Sequence, residues 1–99
     1  MARQAAVLLG RHVRLGRKDR GWTVAELAER VGVTETTLRK VERGDPTVAL
    51  GTALEAAALV GVPLFEDEAH LERNRRQVDD RLALLPARVR RRTARDDDF

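Results

Sequence analysis

Glu35, Thr36, Arg39, Lys40 and Arg43 fall one or three residues apart, a spacing that gathers side chains on one side of a helix. Arg and Lys donate to guanine edges or to phosphates. Thr donates, accepts or touches a thymine methyl, and Glu accepts from cytosine. Each of these residues taken alone is also an ordinary solvated helix residue. Their combination on a single short helix points to contact with the edges of a DNA major groove.

Such a helix needs firm ends and a grip from behind. Thr34 is placed to cap it, Leu38 and Val41 supply its apolar stripe, and Gly44 follows its end. Upstream, Thr23 with Glu26 three residues later forms a capping-box pattern. Leu27, Ala28 and Val31 then fall on one side of a first short helix. Gly32 stops it, since a left-handed backbone costs Gly little, and Val33 is a buried turn residue. The interval from Leu27 to Leu38 is too short for two helices with long connectors. It fits two helices crossing steeply around Ala28, Val33 and Leu38. The Thr34 cap and the first-turn amides would lie near the DNA backbone, because a helix N-terminus favours phosphate.

With these stretches in register, residues 9–65 resemble the Xre/Cro-type helix-turn-helix domain of bacterial and phage repressors. The segments that carry the likeness are LGRHVRLGRKDRGWTVAELAERVGVTETTLRKVERG and LEAAALVGVPLF. The resemblance implies an all-α, lambda-repressor-like five-helix domain that binds palindromic double-stranded operators as a homodimer. It puts Glu35, Thr36, Arg39 and Lys40 at base-facing or adjacent positions, and Thr23, Val24, Thr34 and Arg43 where backbone contacts are usual. Val24 departs from the pattern, since many relatives carry a polar residue there. Arg17 and Glu42 match an ion pair tying the first helix to the third, with orientation as its role. Trp22 stands where relatives carry a core Leu and reads as a plug between the first and third helices, beside Leu27, Ala28, Val33 and Leu38. Phe65 falls where relatives form part of the dimer contact.

A second likeness is narrower. GDPTVALGTALEAAALVG, together with the later LPARVRR, resembles the HipB-type branch of DNA-binding antitoxins. That branch implies repression of its own operon and a HipA-like serine/threonine kinase toxin as partner. The alternatives are a stand-alone Xre-type regulator with no toxin, and a protein-binding adaptor on the same fold.

Composition bounds these readings. A chain of 99 residues is one small domain with an appendage. The absence of Cys excludes a disulfide scaffold and thiolate metal sites. His12 and His70 have no zinc-like spacing, and no metal or other cofactor is expected. No Gly-rich phosphate loop or nucleophile–base spacing is present, so an enzyme is not expected. No apolar run reaches the length of a membrane span, which makes the cytoplasm, at the nucleoid, the expected location. Residues 1–65 hold ten Lys/Arg against seven Asp/Glu, and residues 66–99 hold nine against nine in blocks. A modestly positive domain suits a DNA binder, and like-charge blocks suit an interaction tail.

The remaining expectations follow the chain. Residues 1–5 read as loose, and a first helix is expected from Ala6 to Arg20 with Leu9 and Val13 inward. Gly10 and Gly16 lower helix propensity and leave room for close packing, while the larger residue that relatives carry at the Gly16 position implies looser packing there. Arg11, Arg14, Lys18 and Arg20 read as a mainly wet face from which some reach DNA phosphates. Thr47 is the expected cap of a fourth helix over 48–60, with Leu50, Leu54, Ala57 and Ala58 as its buried stripe. Pro63 is expected to open a fifth helix through Leu64, Phe65 and Glu66, which closes a domain over 1–66. An extension over 67–99 follows. Its Leu71, Val78, Leu82 and Leu85 make a sparse helical stripe, and Ala87 to Arg90 alternate as an added strand would. Phe65, Leu82, Leu85 and Val89 are the expected dimer or partner contacts.

Overall fold

The computed structural model describes residues 1–64 and 67–87. It is all-α, with helices α1 (Ala2–Asp19), α2 (Val24–Val31), α3 (Glu35–Arg43), α4 (Leu50–Leu59) and α5 (Glu68–Ala83). The chain divides into two compact units, Met1–Leu64 and Phe65–Phe99. The first contains α1 to α4, and α5 lies in the second.

In the first unit, α1 begins at Ala2 rather than Ala6, and the Ala5 amide already donates to the Met1 carbonyl at 3.0 Å. Residues 2–6 are Ala, Arg, Gln, Ala and Ala, all strong helix formers, and that propensity carries the helix to the start of the unit. Two glycines inside α1 mark where other elements press against it. A Cβ on Gly10 would overlap the carbonyls of Val41 and Glu42, so the α1 and α3 backbones nearly touch. A Cβ on Gly16 would sit 2.7 Å from the Val60 carbonyl and 2.8 Å from its Cβ. The packing at Gly16 is therefore tight, as the glycine allows and against the slackness implied by relatives with a larger residue there, because the end of α4 fills the space that a side chain would need.

Local hydrogen bonds set the ends of α2 and α3. The Glu26 amide donates to Thr23 Oγ1 and the Thr23 amide to Glu26 Oε1, each at 3.1 Å, completing a capping box. Gly32 ends α2 with φ 86°, and the Val33 amide returns to the Ala28 carbonyl at 3.0 Å. Thr34 Oγ1 then accepts from the Thr37 amide at 3.1 Å and starts α3. Gly44 closes α3 with φ 82°. A Cβ there would overlap Val7 of α1, so both backbone freedom and the missing side chain are used.

The start of α4 differs from expectation. Its N-cap is Ala49, with no side-chain cap bond. The Thr47 amide and hydroxyl both donate to Asp45 Oδ1, at 2.9 and 2.6 Å. Asp45 thus captures Thr47 in a local turn, and the cap role is lost. The buried stripe of the segment runs through Ala56, Ala57 and Val60, with Ala53 and Leu59 partly buried. Leu54 is half-buried, but Leu50 and Ala58 are exposed. Leu50 stands on the rim of an open apolar depression with Ala5, Leu9 and Ala53, where no side chain closes over it.

The core of the first unit is Val13, Leu27, Ala28, Leu38, Val41, Ala56, Ala57 and Val60. Val33 and Trp22 pack against it half-buried. Trp22 is not a closed plug: its ring carries the Arg30 guanidinium at 4.2 Å and that of Arg20 at 5.8 Å. The ring stays half-buried at the α1–α2 turn, and both cations lie within cation–π reach of it.

In the second unit, α5 starts at Asp67, whose Oδ1 accepts from the His70 amide at 2.6 Å. Leu64 precedes it in a bend, so the helix expected to include Leu64 is not there. The Phe65 and Glu66 positions lie outside the described residues, as does the strand-like Val89. No residue of α5 is buried, and Leu71, Val78 and Leu82 on it are exposed, as is Leu85 just beyond its end. Arg75 binds Glu72 at 2.5 Å and Asp79 at 2.7 Å within the helix. No helix among the described residues is long and apolar enough to cross a membrane.

Candidate nucleic-acid interface

The sequence of α3 divides its surface. Leu38, Val41 and Glu42 turn inward and are buried, and Thr37 is half-buried beneath the Thr34 cap. Glu35, Thr36, Arg39, Lys40 and Arg43 are exposed. On that outer side Arg39 pairs with Glu35 at 3.3 Å, one turn earlier, and Arg43 reaches Asp45 at 3.7 Å. The Lys40 side chain makes neither a hydrogen bond nor an ion pair among the described residues. The Asp45 carboxyl is held below the ordinary aspartate range, first by the Thr47 hydroxyl and then by the nearby Arg43 and Lys40 charges. The outer face of α3 is thus a strip of cationic donors, with the Glu35 carboxylate and the Thr36 hydroxyl as acceptors at its N-terminal end.

Behind this strip lies a charged anchor. Arg17 Nε meets Glu42 Oε2 at 2.6 Å and its Nη2 meets Oε1 at 3.0 Å, with side-chain exposures of 10% and 8%. The third arm, Nη1, donates to the Trp22 carbonyl at 2.8 Å. One guanidinium therefore ties α1, the α1–α2 turn and α3 together in a planar, two-point geometry that Lys cannot reproduce. The Glu42 hydrogen bond makes Arg17 hold its proton more firmly than a free arginine. Arg11 adds a second tie from α1, Nη1 to the Glu42 carbonyl at 3.0 Å. These bonds fix the rotation of α3 about its axis, and with it which side chains face out.

The backbone-contact candidates are at the edges of the same surface. Thr23 and Thr34 are exposed caps at the starts of α2 and α3, and Val24 is half-buried as the first residue of α2. Val24 lines an open cleft with Arg11 and Arg14 of α1 and Arg39 and Arg43 of α3, above the Arg17–Glu42 pair. Leu82 and Leu85 belong to the other unit.

The helix-turn-helix domain model matches residues 8–72, about two thirds of the chain. The chain belongs to the helix-turn-helix domain family. This helix-turn-helix protein is also similar to the HTH-type transcriptional regulator SinR of Bacillus subtilis (strain 168), at 30% identity over 66 residues. The alignment covers 64% of this chain and 60% of SinR, so the chain spans less than two thirds of that relative's length. No solved structure matches it. These likenesses are of the Xre/Cro-type helix-turn-helix kind and do not reach the HipB-like branch. The family is not one of enzymes.

Arg11 and Arg14 of this helix-turn-helix domain read in the sequence as part of a mainly wet face with some reach to phosphates, and the fold brings them beside α3. The signal for them was the three-residue step from Arg11 to Arg14 to Arg17, which aligns all three along one side of α1.

Proposed function

We propose that the protein is a sequence-specific DNA-binding transcriptional regulator of the Xre type that acts as a homodimer on palindromic duplex DNA. The observation that carries this reading is the exposed strip on α3, held in fixed rotation by the buried Arg17–Glu42 pair. Two copies present α3 to successive major grooves, about 34 Å apart. Thr36, Arg39 and Lys40 meet base edges with Glu35 beside them, and Thr23, Val24, Thr34 and Arg43 set the register on the backbone. Occupying a promoter represses it.

The stand-alone regulator is the reading we favour. SinR, described as a transcriptional regulator, supports it. A HipA-like toxin partner has only the short likeness in residues 44–61 and 85–91 behind it, and most of the latter segment lies outside the described residues.

The test is selection of duplexes from a random pool, followed by binding at several salt concentrations. A palindromic consensus bound by two chains is expected, with affinity falling steeply as salt rises. Arg39→Ala or Lys40→Ala is expected to reduce discrimination between the consensus and a shuffled duplex by about 1–3 kcal/mol. Affinity indifferent to both base order and salt would refute the reading.

A further inference from the structure

Asp45 stands just beyond the Gly44 cap of α3 and is fixed there twice. Its amide donates to the Lys40 carbonyl at 3.0 Å, which locks its backbone to the end of the helix. Its Oδ1 accepts from the Thr47 amide and hydroxyl, at 2.9 and 2.6 Å. The other oxygen, Oδ2, is turned towards Arg43 Nη2 at 3.7 Å. One oxygen of the carboxylate therefore makes the turn and the other is presented to the outer strip. The turn itself does not need the charge, because Asn makes the same turn through the same oxygen. A negative charge at the C-terminal end of a helix opposes the helix dipole, and on a surface assigned to DNA it also repels phosphate. What the charge serves is Arg43.

The two ion pairs along the strip are not equivalent. The Glu35 and Arg39 side chains are 52% and 60% exposed, so both lose freedom when they meet. The Asp45 side chain is only 23% exposed and already held by Thr47, against 64% for Arg43, so the arginine alone gives up freedom. We propose that Asp45 is an internal competitor of the DNA backbone: it holds the Arg43 guanidinium that a phosphate would otherwise take, and so limits affinity for every duplex alike. Arg43 reaches a phosphate only by leaving Asp45, and the arriving phosphate meets a fixed negative charge. Thr47 is the positioning residue that keeps the competing carboxylate in place. A restraint acting through the backbone contact weakens every complex without changing which base order is preferred. The proposal rests on the DNA-binding reading above and deepens it.

The experiment measures binding of the full chain by fluorescence anisotropy for wild type, Asp45→Asn, Arg43→Ala and the double variant. The probes are a duplex that the wild-type protein selects from a random pool and a shuffled duplex of the same composition. Asp45→Asn is expected to steepen the dependence of log affinity on log salt by about 0.9, as one added phosphate contact would. Both duplexes are then bound about eightfold more tightly at 0.1 M salt, and the ratio between them is preserved. Because Asn keeps the turn, the melting temperature stays near the wild-type value. With Arg43→Ala already present, Asp45→Asn changes neither slope nor affinity. Thr47→Val removes the hydroxyl bond and keeps the amide one, and it shifts both duplexes in the same direction by a smaller factor. Three results overturn the proposal: an unchanged slope for Asp45→Asn, weaker binding by it, or the same gain with and without Arg43. In each of these, a wild-type preference for the selected duplex leaves the regulator reading standing. If wild type binds neither duplex, both readings fall.

Discussion

Arginines are used in opposite ways in the two units. In the first, Arg17 and Arg11 bond to a residue 25 and 31 positions away, and the Arg17 side chain is nearly enclosed. In α5, Arg75 bonds to Glu72 and Asp79, three and four positions away, and all three are largely exposed. Distant bonds constrain how helices lie against each other. Local ones constrain only whether a helix forms, and exposed pairs of this kind add little. Charge is denser in the second unit, 18 of 35 residues against 17 of 64, so the difference in role comes from sequence separation and enclosure rather than from charge content.

The largest expected effect breaks this contrast at its centre. Glu42→Ala leaves Arg17 enclosed without its carboxylate and should destabilise the α1–α4 unit by about 3–5 kcal/mol in urea unfolding. Arg75→Ala should leave that unit's unfolding midpoint unchanged. Replacing the pair together, as Arg17→Met with Glu42→Met, should cost less than Glu42→Ala alone, because no enclosed charge is stranded. The double replacement would still weaken DNA binding if the pair serves to orient α3, which separates that role from stability.

A smaller effect tests the contact between α1 and α3 through backbone rather than charge. Gly10→Ala improves helix propensity by about 1 kcal/mol. The new Cβ nonetheless meets the Val41 and Glu42 carbonyls, and forced separation of packed elements costs about 1–3 kcal/mol. The net expectation is a lower melting temperature. An increase would mean that the two helices can part without loss, and that Arg17 alone holds them.

Gly10 and Gly16 also show where the sequence left close and loose packing both open. The helix-turn-helix itself was legible because each of its signals spans four residues or fewer: Thr23 with Glu26, Thr34 as a cap, and Gly32 and Gly44 after their helices. A glycine within a helix gives one local signal, reduced propensity, whether the space beside it is filled or empty. Only the fold shows Val60 against Gly16. Thr47 was a fair cap candidate until Asp45, two residues earlier, bound its hydroxyl. Leu50 has the spacing of a core residue but lacks a neighbour to cover it. Arg14 looks like any surface arginine until α3 is set beside it. Local competition and long-range approach account for these differences.

The smallest expected effect separates the two units by acid. Glu26 and Glu72 both hold their carboxyls below the ordinary glutamate range, Glu26 through the Thr23 amide and Glu72 through the Arg75 guanidinium. A carboxylate depressed in this way contributes stability that is complete above its ordinary pKa and is lost as pH falls through the folded value. Both contributions are therefore lost on the acid side of the ordinary glutamate range. The consequences differ, because α2 also buries Leu27 and Ala28 whereas α5 buries nothing. On acidification from neutral to about pH 3, helical circular dichroism should fall by part of the α5 contribution while Trp22 fluorescence, the chain's single Trp signal, stays constant. Glu72→Gln should lose that portion of helicity already at neutral pH and flatten the acid change. If the two signals instead fall together, α5 draws its stability from contact with the rest of the protein or with another copy, and its ion pairs are incidental.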